Sequence, residues 1–439
     1  MHKRDAEVEK KKTRAEKAAI RRAIRRERRE KTSAIDEAKD FGRGLGRVVS
    51  GYDFGVVVLV IVLSLFGVAM VFSAGYYQTI NTAHPDPTYY LTRQMLWVGT
   101  GLFVMLIVAN IDYHFYMKIS YLIVLLSVVL LVLVIMTSST VGGAQRGIRG
   151  IGVTPSEFSK VAMIVFTSCF LIKNPSNIRT LKGLLVLLVV MGVHFYLIVS
   201  QPNLSTAIVI VAIMIAIMLV AGLNYLFLAV PAAGVVAGYM YIMTAKSPAH
   251  WYQRITSFRD PFADFQGSGY QVSQGLIALG NGGLRGLGFG RSIAKNLYLP
   301  EPQNDFILAV IGEELGYIGF ALLMLVYIIL LFRIFMVALK ARDRLGFYLA
   351  TGVGVMLGLQ VVINVAVVTS SMPATGITLP FISYGGTSVV FLMIEMGIAL
   401  SISAKIHVND EKTVIIDART RKNITRERRR QERTGSGAI

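Results

Sequence analysis

The chain has 439 residues, 54% of them hydrophobic and 16% charged, with a formal net charge of +19 and a mean hydropathy of +0.57. That balance excludes a soluble enzyme and describes an integral membrane protein. The positive charge is not spread over a face that could hold nucleic acid. Residues 1–49 carry seventeen Lys or Arg and 405–439 carry ten, with no interleaved aromatics for base stacking.

In chain order, the first element is a basic arm, 1–49, containing "RRAIRRERRE". Such an arm sets topology and lies on anionic membrane lipid at the cytoplasmic face. Apolar runs of about twenty residues follow, near 53–74, 92–111, 117–137, 155–173, 180–199, 204–222, 225–244, 306–337, 346–370 and 384–404. The expected fold is all-α, a polytopic membrane protein of about ten transmembrane helices over 50–405, with a second basic cytoplasmic tail at 406–439. The eighth run is long enough to tilt or to stand partly outside the bilayer. An even count puts both termini on one side. Lys173, Arg179 and Lys182 at one connection, and Arg333, Lys340, Arg342 and Arg344 at another, mark that side as cytoplasmic. The first apolar run starts near residue 54 and is long enough to span, so no cleavable signal peptide is expected. A single cysteine, Cys169, precludes an intramolecular disulfide, and the histidine spacing supports no structural zinc site.

On the opposite side the expected features are loops. "TPSEFSK" opens the fourth helix with Pro155 in a first-turn position, and Glu157 and Lys160 are spaced to pair on one face. The same lysine, near the outer surface, could neutralise a phosphate. "QPNLSTA" (201–207) and "LPFISYGGTS" (379–388) are short turns leading into helices. In the second, Gly385 and Gly386 let the backbone approach a ligand, while Ser383, Thr387 and Ser388 offer hydroxyls. Read as plain turn-and-cap sequences, they need no ligand.

The large extracytoplasmic loop, 245–305 between helices 7 and 8, holds Lys246, Arg254, Arg259, Arg285, Arg291 and Lys295. Positive charge there runs against the usual bias, and an anionic substrate is the simplest reason. Within the loop, "YQVSQGLIAL" suits a short interfacial helix. "GNGGLRGLGFGRS" is glycine-rich without the pattern of a nucleotide loop. No internal repeat of the transporter kind is evident.

"LPEPQNDFILAVIGEELG" (299–316) packs Glu301, Asp305, Glu313 and Glu314 against the bilayer. Each charge at membrane depth costs about 2.5–3.5 kcal/mol, so such groups mark a pathway or a reaction site. Pro300 and Pro302 are expected to hold the chain extended up to Asn304. Asp305 then starts the eighth helix, either as its N-cap or as a general base at the outer surface, and spacing leaves both open. Glu313 and Glu314 project about 100° apart. They are expected, with Glu301, as structural support, the pair buried and either protonated or arginine-paired.

Taken in this order, "TPSEFSK", "QPNLSTA", "DPFADFQGSGYQVSQGLIALGNGGLRGLGFGRS", "LPEPQNDFILAVIGEELG" and "LPFISYGGTS" resemble the shape, elongation, division and sporulation family, over roughly residues 50–405. "TGITLPFISYGGTS" followed by "MIEMGIALSIS", chiefly through Glu395, looks more like its FtsW than its RodA branch. Two departures stand out: Asn203 replaces a common aspartate, and "QRGI" (145–148) replaces "RRWI".

The resemblance implies ten transmembrane helices in the bacterial cytoplasmic membrane with both ends cytoplasmic. It implies a peptidoglycan glycosyltransferase that polymerises lipid II at the outer face, for division or shape. It places the catalytic acidic residue, a general base, at Asp305 and implies a class B penicillin-binding protein as partner, among other divisome or elongasome membrane proteins. One base suffices for inversion. The pyrophosphate leaving group then calls for cations, for which Arg254, Arg285, Arg291 and Lys160 are candidates, in that order. No cofactor is evident, and a divalent ion, Mg2+ or Mn2+, would serve the same end. The rival reading is a flippase for a lipid-linked precursor. It asks for charge reaching both faces and broken helices near the midplane.

Overall fold

The computed structural model describes residues 51–80, 85–137, 154–173, 181–229 and 258–406, with isolated positions between 233 and 240. The predicted basic arm, half of the predicted seventh helix, Arg254 and nearly all of the C-terminal tail lie outside these residues. The chain divides into two compact units, Met1–Phe54 and Gly55–Ile439. The second holds the membrane helices, the first of which begins at the boundary.

Among the described residues there are helices, turns and irregular segments but no strand. The principal helices are α1 (Phe54–Ile80), α2 (Tyr89–Asn110), α3 (Tyr116–Thr137), α4 (Pro155–Lys173), α5 (Leu181–Val199) and α6 (Leu204–Val220), then α7 (Tyr270–Gly282), α8 (Ile307–Leu339), α9 (Arg344–Val368) and α10 (Thr387–Ile406). Seven of them, α1 to α4 and α8 to α10, are long and apolar enough to cross a membrane, and α5 and α6 are shorter apolar helices. Apolar sequences of this length become helices because helix alone satisfies every backbone group within the segment.

The helix ends follow local chemistry. Pro155 is the first residue of α4. Asn203 caps α6 by accepting from the Thr206 amide at 3.4 Å, and Asp343 caps α9 through the Gly346 amide at 2.8 Å. The predicted interfacial helix is α7.

Burial sorts the helices. α4 has 83% of its apolar window inside the protein, against 22% for α2 and α3, so α4 is central and the other two present broad apolar faces outward. α4 packs against α3, α6 and α9. Small residues permit the close crossings. A Cβ on Gly352 of α9 would come within 2.8 Å of Ile164 and 2.9 Å of Ile217. Buried hydroxyls tie the layers: Ser127 and Ser159 are 2.8 Å apart, and His194 Nε2 lies 3.2 Å from Ser127.

The long eighth run is interrupted. α8 is broken at Gly316, where φ 67 and ψ −170 leave the helical region. The break frees the carbonyls of Glu313 and Glu314 and the amides of Tyr317 and Ile318. The glycine-rich segment 283–288 takes all four. Leu287 N and Gly288 N donate to the Glu313 and Glu314 carbonyls at 3.0 and 2.9 Å, while Tyr317 N and Ile318 N donate to Gly283 O and Leu284 O at 2.9 and 3.2 Å. Two glycines make this insertion fit: a Cβ on Gly286 would lie 2.2 Å from Glu314 O, and one on Gly316 only 2.3 Å from Gly286 N. A glycine-rich loop that could have cradled a ligand instead repairs a broken helix.

Candidate functional site

Asp305 stands one residue before the N-cap of α8. That position belongs to Phe306, so the reading of Asp305 as the cap is corrected. The approach to it also differs from expectation. Residues 299–306 form successive turns rather than an extended strand, with Glu301 at φ 44. Two prolines flanking a residue in the left-handed region produce a tight turn. Glu301 is exposed and closes it by accepting from Asn304 Nδ2 at 2.8 Å, which makes it a local support.

Asp305 itself is half-buried, and its main chain is clamped. Asn364, fully buried in α9, donates one amide hydrogen to Asp305 O and another to Ile377 O, both at 2.8 Å. That single side chain joins the start of α8 to the chain leading into the 379–386 turn. A second clamp lies alongside, where the Tyr384 amide donates to Gln303 O at 2.8 Å and Gln303 Nε2 reaches Tyr90 Oη at 3.1 Å. A third is Tyr327 Oη donating to Pro380 O at 2.5 Å. The Tyr90 and Tyr384 rings meet edge to face, with centroids 4.9 Å apart. Burial pushes the Tyr384 phenol above its usual value, against a hydrogen bond from Arg93.

The 379–386 turn shows its hydroxyls already engaged. Ser383 is buried, and its Oγ accepts from the Leu379 amide at 2.8 Å, so it locks the turn. Thr387 Oγ1 accepts from the Thr154 amide at 3.2 Å, joining α10 to the start of α4. Gly385 and Gly386 are half-buried. Gly386 adopts φ 49, and a Cβ there would approach the Trp97 indole at 3.6 Å.

Glu157 and Lys160 pair as their spacing predicted, at 2.8 Å, with the lysine side chain only 4% exposed. Lys160 is therefore committed to a carboxylate and is not an open phosphate receptor. Arg285 and Arg291 are exposed on the loop.

Glu313 and Glu314 are fully buried, and the partner of Glu314 is a lysine, not the arginine expected. Lys295 Nζ lies 2.8 Å from Glu314 Oε1 and donates to Ser73 Oγ of α1 at 2.9 Å. Ser73 in turn donates to Glu314 Oε1 at 2.7 Å. Glu313 accepts from Ser292 Oγ, from the Ala294 amide at 3.1 Å and from Asn281 Nδ2 at 3.3 Å. The carboxylates thus hold segment 292–295 onto α8 and α1. Sequence reasoning gives no role of their own to Lys295, Gln360 or Asn364. The last two are isolated polar residues in the apolar run of α9, and that pattern is the available signal.

Between α4, α9, α10 and the 379–386 turn lies a small, partly open pocket, whose lining includes Glu157, Gln360, Ser383, Gly385, Ser388 and Glu395. Among the described residues no cluster of three or more His, Cys, Asp or Glu side chains gathers to hold a metal.

The family model for cell cycle proteins of the FtsW, RodA and SpoVE group matches residues 54–407. Stage V sporulation protein E of Bacillus subtilis (strain 168) is 38% identical over 361 residues, covering 80% of this chain and 96% of that protein. A probable peptidoglycan glycosyltransferase FtsW of Geobacter sp. (strain M18) is 35% identical over 364 residues, covering 82% and 98%. Among solved structures, a chain described under "Structural coordination of polymerization and crosslinking by a peptidoglycan synthase complex" superposes with a TM-score of 0.66 at 25% identity, covering 81% of this chain and 98% of its own.

Proposed function

The chain belongs to the FtsW, RodA and SpoVE family of cell cycle proteins, and from that premise we propose how it works as a peptidoglycan glycosyltransferase of the multi-pass membrane class. Its substrate is lipid II, polymerised at the outer face of the bacterial cytoplasmic membrane, with both termini cytoplasmic and the 245–305 loop outside. A penicillin-binding protein of class B cross-links the strand it makes.

Asp305 is the general base. It takes the proton from the C4 hydroxyl of the acceptor N-acetylglucosamine as that oxygen attacks the donor's anomeric carbon. The bond to undecaprenyl pyrophosphate breaks, and the new linkage forms with inversion. The observation that carries this reading is the clamping of Asp305: half-buried, outside the N-cap, its carbonyl held by Asn364 at 2.8 Å. A base that must meet a hydroxyl within about 3 Å gains from a rigid main chain. Arg254, Arg285 and Arg291 remain the proposed cations for pyrophosphate, while Lys160 acts through Glu157.

The break in α8 is a feature that the flippase reading would also ask for. Its four released backbone groups are taken up by 283–288, however, so none of these four is left to coordinate a moving ion. The test is polymerisation of purified lipid II by wild type and Asp305→Asn, each co-purified with its transpeptidase. The variant is expected to fold and bind its partner while losing about 10²–10⁴-fold in rate. Near wild-type turnover would remove Asp305 from the mechanism.

A further inference from the structure

At the far end of α9 from Asn364, a group of titratable side chains outside the mechanism above meets across three elements. Asp112 and His114 come from the turn between α2 and α3, Asp343 is the residue that caps α9, and Lys405 stands in the last turn of α10. His114 Nε2 lies 2.5 Å from Asp343 Oδ2, and its Nδ1 lies 2.8 Å from Asp112 Oδ1. Lys405 Nζ donates to Asp112 Oδ2 and stands 3.3 Å from the same Nδ1. Tyr113 is buried beneath them. Its ring stacks on the imidazole with centroids 4.3 Å apart, and its hydroxyl donates to Asp343 Oδ1 at 3.2 Å. Arg342 adds a further positive charge near Tyr113.

Ionised carboxylates only accept, so a ring held between two of them is satisfied at both nitrogens only as the imidazolium. The neutral ring has one donor. With that hydrogen on Nε2, facing Asp343, the Nδ1 lone pair is turned on Asp112, and the bond open to it is the one from Lys405. The two protonation states therefore use different partners. Protonated, His114 joins Asp112 to Asp343; neutral, it lets Asp112 go. Charge points the same way. The imidazolium and the Lys405 ammonium cancel the two carboxylates, whereas the neutral ring leaves one negative charge over. The His114 side chain is 42% exposed, so it exchanges its proton directly with water.

We propose that His114 is a proton-operated latch, closing the α2–α3 turn onto the start of α9 when it binds a proton from solution. In the proposed topology this face is cytoplasmic. The latch then makes cytoplasmic pH bear on α9, the helix whose other end holds the Asp305 carbonyl through Asn364. That last link rests on the reading of Asp305; the latch itself does not. Because the closed state binds the proton more strongly, its contribution is present at low pH and lost as pH rises through the titration of the ring.

The test is amide hydrogen exchange of the purified full-length protein in detergent, from about pH 6 to about pH 8, corrected for the intrinsic pH dependence of exchange. Protection across 112–116 and 344–348 is expected to be about three- to tenfold higher at the acid end. His114→Gln can hydrogen-bond but cannot titrate, and should abolish the difference. Asp112→Asn removes the anion facing Nδ1 and should do the same, serving if the His114 variant fails to fold. Equal protection of the wild type at both ends of the range would overturn the latch. So would an undiminished pH dependence in His114→Gln, or in Asp112→Asn when that variant is the one used, because the titrating group would then lie elsewhere. No substrate is needed, so neither result touches the assignment of Asp305.

Discussion

Replacing Lys295 by methionine should undock the segment that leads to Asp305. Lys295 is the cation paired with Glu314, with side chains 3% and 0% exposed. Its removal leaves the carboxylate with Ser73 Oγ at 2.7 Å and the Ser292 amide at 3.4 Å, neutral donors that cannot balance the charge. Breaking a buried pair from one side costs about 3–5 kcal/mol, most of it the desolvation of the partner left behind. At roughly 1.4 kcal/mol per decade, the docked state loses two to four orders of magnitude against its competitors. Glu314→Gln should cost a similar amount, because it strands the buried Lys295 ammonium. Combining the two substitutions removes both charges and should recover much of the loss, with a coupling of about 2 kcal/mol or more. The assay is thermal unfolding in detergent, paired with hydrogen exchange across residues 287–299 to detect local opening. If Lys295→Met matches wild type in both measurements, or if the double variant is no better than the sum of the singles, the ion pair does not hold this segment and the argument fails.

Other outcomes rest on particular geometry. Gly316→Ala forces a side chain into φ 67 and ψ −170 with its Cβ 2.3 Å from Gly286 N; strain of about 1–3 kcal/mol plus the clash should abolish a monodisperse peak in size-exclusion chromatography. Arg254→Ala and Arg291→Ala should each weaken apparent lipid II affinity by roughly ten- to a hundredfold, read as turnover at limiting substrate, and normal turnover in both would leave them as surface charge. A cysteine at Ser268, which is exposed, should react with a membrane-impermeant reagent in intact cells, whereas its protection would reverse the proposed topology.

Much of this protein is written in its sequence because a bilayer leaves little choice. An apolar run of this length has to be helical, so α3, expected at 117–137, spans Tyr116–Thr137, and α4 keeps its expected bounds. Local pairs are equally legible: Glu157 and Lys160 sit three residues apart on one helix face and meet at 2.8 Å. Asp305 stands out as a charge where apolar helix begins. Tertiary structure alone decided what lies between distant segments. No spacing rule joins Lys295 to Glu314 and to Ser73, 222 residues away, or sets Asn364 of α9 against the carbonyl of Asp305, 59 residues away. The role of the glycine-rich segment was hidden for the same reason. Its role emerges only when Gly286 is seen against Gly316, where the carbonyls of a broken helix need donors and the absence of a Cβ at both glycines lets the two backbones come close enough to supply them.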